Sequence, residues 1–141
     1  MRHLLIASHA HFASGIRETL ELLCDLNEVD ITVLCAFVDA RNDITAEAET
    51  ALEGFPESDE VIVCTDVLGG SVNTQFLNIA QMRPGVHVIA NMNLPLLISL
   101  AFSLHEDDLT AAIKRVVASD EVRVKYCNQE IADSVDEDED F

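Results

Sequence analysis

The chain has 141 residues, 49% apolar and 24% charged, with few Phe, one Tyr and no Trp, a length and balance that suit one soluble domain with a sizeable core. A formal net charge of -18 argues against any partner recognised through clustered phosphates, so no nucleic-acid role is expected. No stretch reaches the roughly eighteen apolar residues of a membrane span, and no signal peptide is visible.

In chain order, residues 3–7 (HLLIA) are too short an apolar run for a helix and predict a buried strand. Over residues 12–25, Ile16, Leu20, Leu23 and Cys24 recur at helical spacing and predict an amphipathic helix. VDITVLCAF (29–37), rich in β-branched residues, predicts the second strand. Residues 42–55 predict the second helix, with Asp43 as cap, Ala48, Ala51 and Leu52 facing inward, and Gly54 followed by Pro56 at its end. EVIVCTD (60–66) is the third predicted strand and LGGS (68–71) a turn. A third helix runs from about Val72 to Met82, where RPG (83–85) breaks it. VHVIAN (86–91) predicts the fourth strand, and Pro95 falls in the first turn of a helix whose LPLLISLAF is apolar all round and predicted buried. Residues 105–119 predict a further helix with acids in its first turn and Lys114 and Arg115 near its end, as the helix dipole favours. EVRVKYC (121–127) alternates and predicts a fifth strand at the sheet edge. EIADSVDEDEDF (130–141) has seven acids and no base, and without them the chain still carries -11; the segment predicts a disordered, solvating tail.

This alternation predicts an α/β fold: a single doubly wound domain over residues 1–130, with a mainly parallel sheet of four strands plus the fifth edge strand, helices on both faces, and a disordered tail at 131–141. Cys24, Cys35, Cys64 and Cys127 are far apart in apolar surroundings with no CxxC pair, and are expected as buried free thiols of a reducing cytosol. In such sheets ligands collect at the carboxyl ends of the strands, near the point where strand order reverses. Two strand ends therefore matter, Ser8-His9 after the first strand and Thr65-Asp66 after the third.

With the first strand central, His9 and Asp66 are neighbours. A carboxylate that hydrogen-bonds one imidazole nitrogen fixes the tautomer, orients the ring and leaves the other nitrogen as a nucleophile. VLGGSVN follows Asp66 directly. Gly69 and Gly70 let backbone approach a ligand, the helix start behind them offers N–H groups to an anion, and Ser71 is placed to cap the helix or donate to a phosphate oxygen. A nucleophilic imidazole, an orienting carboxylate and an anion cradle together describe a phosphohistidine site.

LLIASHAHFASGI, VIVCTDVLGGSVN with Asp-x-x-Gly-Gly-Ser at 66–71, and VIANMNLPLLISL with Asn93-x-Pro95 carry a family resemblance. Over about residues 2–126 the chain resembles the mannose-type EIIA component (mannose, fructose and sorbose) of the bacterial phosphoenolpyruvate-dependent sugar phosphotransferase system. The resemblance implies a phosphoryl relay: the carrier HPr donates to His9, and His9 passes the group to an EIIB component serving membrane EIIC and EIID partners. It further implies that Asp66 orients His9, that Asn93 lines the site, and that the protein is a cytoplasmic homodimer whose edge strand exchanges between subunits, with no cofactor and no metal. Where the family commonly has glycine after the active histidine, this chain has Ala10 and then His11. The acidic tail is extra, and the lack of a following helical linker implies a stand-alone EIIA subunit.

Other readings compete. An EIIA-like subunit of the dihydroxyacetone kinase system shares the fold and the histidine, but the Asp66-x-x-Gly-Gly-Ser pattern favours the sugar-transport class. A receiver module using Asp66 needs an acidic pair where Ser8-His9 stands. A metal-dependent hydrolase would use His9, His11 and Asp66, but His11 falls where the chain turns into a helix and is expected as a bystander. No GxGxxG or GxxxxGK[ST] supports a nucleotide binder. His3, His87 and His105 are read as structural or solvated, and Arg41 and Arg83 as loop charges, one of which is within possible reach of the site.

Overall fold

Apolar, β-branched strands need partners along both edges and cover on both faces, and β1 (Arg2–His9) has all of these. In the computed structural model, which describes residues 1–40 and 43–139 with side chains to residue 137, β1 pairs in parallel with β2 (Ile31–Ala36) on one side and β3 (Glu60–Thr65) on the other. β4 (Val86–Ile89) adds beyond β3, so the sheet order is β2-β1-β3-β4. Parallel neighbours require crossovers. These are α1 (Phe12–Leu23), α2 (Ile44–Glu53) and α3 (Ser71–Met82); α4 (Leu94–Ser103) and α5 (Leu109–Ala118) follow β4.

Side chains alternate between the two faces of a strand. Leu4, Ile6, Ile62 and Cys64 therefore pack with Ala13 and Leu20 of α1, Leu97 and Leu100 of α4 and Val116 of α5. Leu5, Ala7, Val61 and Val63 pack on the other face with Ala48 and Leu52 of α2 and Val72 and Phe76 of α3. The predicted doubly wound α/β architecture is the one observed. No helix among the described residues is long and apolar enough to cross a membrane.

Helix starts differ in a way that bears on the site. Asp43, Asn93 and Asp108 cap α2, α4 and α5, each accepting from a backbone N–H three residues on. At α1 the N-cap residue His11 makes no side-chain cap, and buried Ser8 does the work from the strand end, its Oγ accepting from Ala13 N–H at 2.7 Å. α3 begins after Gly70 with no side-chain cap at all.

Several expectations need correction. No fifth strand forms: residues 120–122 make a 3-10 turn and 124–126 have no regular structure. Asp120 accounts for this locally, since Lys125 and Arg123 both fold back onto it at 2.8 Å and hold its carboxyl down to about 2. Residues 131–139 of the segment expected to be disordered lie in a helix, α6 (Cys127–Glu139), with its described side chains exposed, and residues 140 and 141 lie outside the described residues. Neither proline nor glycine interrupts it, and Gln129 bonds Asp133 one turn on. Of the four free cysteines only Cys64 is fully buried, its thiol pushed up to about 12 by burial; Cys24 and Cys35 are half-buried and Cys127 is exposed. Arg83 closes the carboxyl end of α2 by donating to the Leu52, Phe55 and Pro56 carbonyls, whereas Arg41 lies outside the described residues.

Two glycines test the packing with opposite signs. A Cβ on Gly85 would lie 2.7 Å from the Asp59 carbonyl oxygen, so Gly85→Ala is expected to destabilise by about 1–3 kcal/mol. A Cβ on Gly15, inside α1, meets nothing within 4 Å, and Gly15→Ala is expected to stabilise by about 0.5–1 kcal/mol. Urea unfolding of both variants checks this; shifts of the same sign would contradict the packing.

Candidate active site

His9 closes β1 opposite Ala36 of β2, and Asp66 follows Thr65 of β3, itself the partner of Ala7. The chain leaves β1 toward β2 on one side and leaves β3 toward β4 on the other, so these two ends flank the switch point of the sheet. Asp66 Oδ2 accepts two hydrogen bonds from His9, one from its backbone N–H at 2.9 Å and one from Nδ1 at 2.8 Å. The other oxygen, Oδ1, accepts from Val67 N–H at 3.0 Å. Burial pushes the Asp66 carboxyl upward, but the bonds from His9 and Val67 outweigh it and hold the group below the ordinary carboxylate range.

An ionised carboxylate only accepts, so Nδ1 carries the proton and Nε2 holds the open lone pair. Nε2 lies 3.2 Å from Ser71 Oγ, at the start of α3. The Asp66 side chain is 11% exposed and that of His9 43%: the anchor is shielded while the ring is offered outward. Phe37 stacks against the imidazole, with ring centroids 5.4 Å apart and planes inclined by 24°.

The glycines have separate reasons. Gly69 takes a φ of +79°, which a side chain would strain. A Cβ on Gly70 would lie 3.2 Å from His9 Cε1 and 3.3 Å from the Val67 carbonyl oxygen, so a side chain there would press on the imidazole edge and the loop closes most easily with glycine. Buried Asn73 holds the loop, accepting from Gly69 N–H at 3.1 Å and donating to Thr65 Oγ1 at 3.0 Å. Asn91, with φ +57°, accepts from Leu68 N–H at 3.0 Å. Because α3 lacks a side-chain cap, the N–H groups of its first turn and its positive dipole end are presented beside Nε2. The arrangement is a nucleophile next to an anion pole.

His9, Asp66, Gly69, Gly70 and Ser71 are thus brought together as the sequence predicts. Asn93 makes its side-chain hydrogen bonds elsewhere: its Oδ1 caps α4 through Leu96 N–H and its Nδ2 donates to the Val122 carbonyl. His11 is exposed at the head of α1, and among the described residues no group of three His, Cys, Asp or Glu is placed to hold a metal. A depression of about 760 Å³ lined by Met1, Arg2, Asn27, Asp30 and His105 lies at the other end of the sheet. Sequence reasoning missed Phe37, Asn73 and Asn91. Phe37 and Asn91 stand just beyond strand ends, a position that marks them as candidates even though their residue types do not, whereas Asn73 lies in the first turn of α3, where no local signal marks it. Ala10 takes φ +49°, which explains physically why glycine suits that position.

Residues 3–117 match the family model EIIA-man, described as the PTS system fructose IIA component. A Klebsiella pneumoniae structure described as a phosphoenolpyruvate-dependent sugar phosphotransferase system permease is 38% identical, covers 92% of this chain and 93% of its own, and superposes with a TM-score of 0.84. A PTS IIA protein associated with the fucose utilization operon of Streptococcus pneumoniae is 26% identical, covering 92% and 96%, with a TM-score of 0.72. The mannose/sorbose-specific IIA subunit from Enterococcus faecalis, 18% identical over 89% and 93%, shares the fold with a TM-score of 0.72. The match across most of the domain makes this chain a member of the mannose/fructose-type IIA components of the phosphotransferase system, a family of phosphotransfer proteins.

Proposed function

We propose that the protein is a cytoplasmic, homodimeric phosphoryl carrier of sugar uptake. His9 accepts a phosphoryl group from phospho-HPr on Nε2 and passes it to an EIIB component, which serves membrane EIIC and EIID partners. The observation that carries this reading is the pair of hydrogen bonds from His9 to Asp66 Oδ2, which occupies Nδ1 and leaves Nε2 open at the uncapped start of α3.

The Nε2 lone pair attacks phosphorus as the bond from phosphorus to the donor nitrogen breaks, its electron pair returning to the donor ring. His9, still protonated on Nδ1, becomes cationic, and the Asp66 carboxylate already lies against that proton. Ser71 Oγ and the first-turn N–H groups of α3 are the donors available to the phosphoryl oxygens. Onward transfer runs the step in reverse, the Nε2–phosphorus electrons returning to His9. No proton has to leave Nδ1 in either direction, so Asp66 works as an orienting and charge-stabilising group. The outward exposure of His9 suits donors and acceptors carried on other proteins.

Incubation with phosphoenolpyruvate, enzyme I and HPr is expected to give an acid-labile, base-stable phosphoryl adduct. His9→Ala abolishes it, His11→Ala retains it, and Asp66→Asn slows it by about 100-fold while leaving the fold intact. Loss of the adduct in His11→Ala with retention in His9→Ala would refute the assignment. Acid unfolding supplies a second check. The folded-state value of Asp66 is depressed, so its contribution to stability is present above the unfolded carboxylate value of about 4 and is lost as pH falls through the folded value. Urea midpoints taken from about pH 6 to about pH 3 should fall more steeply for the wild type than for Asp66→Asn.

A further inference from the structure

Phe37 is the first residue beyond β2 and takes φ +61°. A left-handed conformation is rare for a bulky side chain, and a turn selected for its backbone alone would place glycine or asparagine there. Burial does not account for the choice, because Phe37 is 37% exposed. What the strained backbone achieves is the stack on His9.

We infer that Phe37 is a positioning residue for phosphoryl transfer: its ring covers one face of the His9 imidazole, fixes the ring plane and stabilises the imidazolium that exists while Nε2 carries the phosphoryl group. The inference rests on the phosphoryl-carrier reading. Hydrogen bonds at Nδ1 to Asp66 and at Nε2 to Ser71 still leave the ring free to rock about the line that joins its two nitrogens. Gly70 bounds one edge of the imidazole and Ser71 lies at Nε2, so the remaining freedom is across the ring face, where Phe37 lies. When the Nε2–phosphorus bond forms and the donor nitrogen departs with its electron pair, the His9 ring gains positive charge. The negative face of an aromatic ring attracts that charge without competing for Nε2.

The test uses the full chain and two donors. One is phospho-HPr; the other is phosphoramidate, a small molecule that docks on no protein surface and whose nitrogen leaves as ammonia after taking a proton from water. In Phe37→Leu, phosphorylation of His9 is expected to slow by about 3–30-fold with both donors, with the half-saturating phospho-HPr concentration unchanged. Phe37→Tyr keeps the stack and stays within about twofold of the wild type. Phe37→Gly, which suits the left-handed backbone, keeps the fold and shows the same loss as leucine. The His9 Cε1 and Cδ2 proton resonances move downfield in the leucine variant and not in the tyrosine variant, as ring-current shielding is lost. Slowing confined to phospho-HPr through a raised half-saturation would make Phe37 a docking contact and overturn the inference, as would equal rates for leucine and tyrosine. A wild type that takes no phosphoryl group on His9 from either donor removes the carrier reading and this inference together. A phosphorylated wild type matched by an equally fast leucine variant removes the inference alone.

Discussion

One carboxylate oxygen organises the working end of this protein. Asp66 Oδ2 accepts from both the backbone and the ring of His9, which joins the ends of β1 and β3 and sets the imidazole tautomer together. The bond is available because β1 and β3 are adjacent and parallel in a register that pairs Ala7 with Thr65, leaving His9 and Asp66 to reach across the same edge. The register is in turn held by the two cores, since a slip of one residue would exchange Leu4 and Ile6 with Leu5 and Ala7 between faces packed by different helices.

The same edge concentrates backbone strain. Ala10, Phe37, Gly69 and Asn91 follow β1, β2, β3 and β4 respectively, and all have positive φ. For the non-glycine residues each such conformation costs about 1–2 kcal/mol. Asn91 uses its conformation to support Leu68, and Phe37 lies against His9. The glycine loop between β3 and α3 approaches the imidazole so closely that any side chain on Gly70 would press on it. The core that offsets this strain lies below the site, in the alternating faces of β1 and β3.

The opposite end of β1 shows what makes His9 chemically different. His3 is also a histidine beside aspartates, but it is buried, with the Phe55 ring tilted against it at a centroid distance of 4.3 Å, Nε2 on Asp59 at 2.7 Å and Nδ1 on Asp30. Hydrogen bonds from His3 and the Met1 amino group hold the Asp59 carboxyl below its ordinary range. Both ring nitrogens of His3 are engaged by carboxylates, so neither is presented for a reaction. His9 has one nitrogen anchored and one presented. Composition alone cannot separate these two histidines; the number of ring nitrogens left open does.

Periodicity made β1 to β4 and α1 to α5 legible in the sequence, because buried strands and amphipathic helices carry their pattern locally. His9, Asp66 and the Gly69-Gly70-Ser71 turn were legible as well, since strand ends and glycine turns are local features. The fifth strand was not. The alternation of residues 121–127 meets strand spacing, but a strand also needs a partner edge, and in this chain Asp120 draws Arg123 and Lys125 back instead. Asn93, expected to line the site, uses its side chain to cap α4, a role that its place just before Leu94 and Pro95 also fits. The sequence by itself determined which residues carry the chemistry and which segments form the sheet, through patterns that span a few residues. Only the tertiary structure decided which imidazole nitrogen is open, that Phe37 covers the ring, and that Asn73 and Asn91 hold the loop. Those outcomes depend on distances between segments far apart in the chain, and such distances are set by packing.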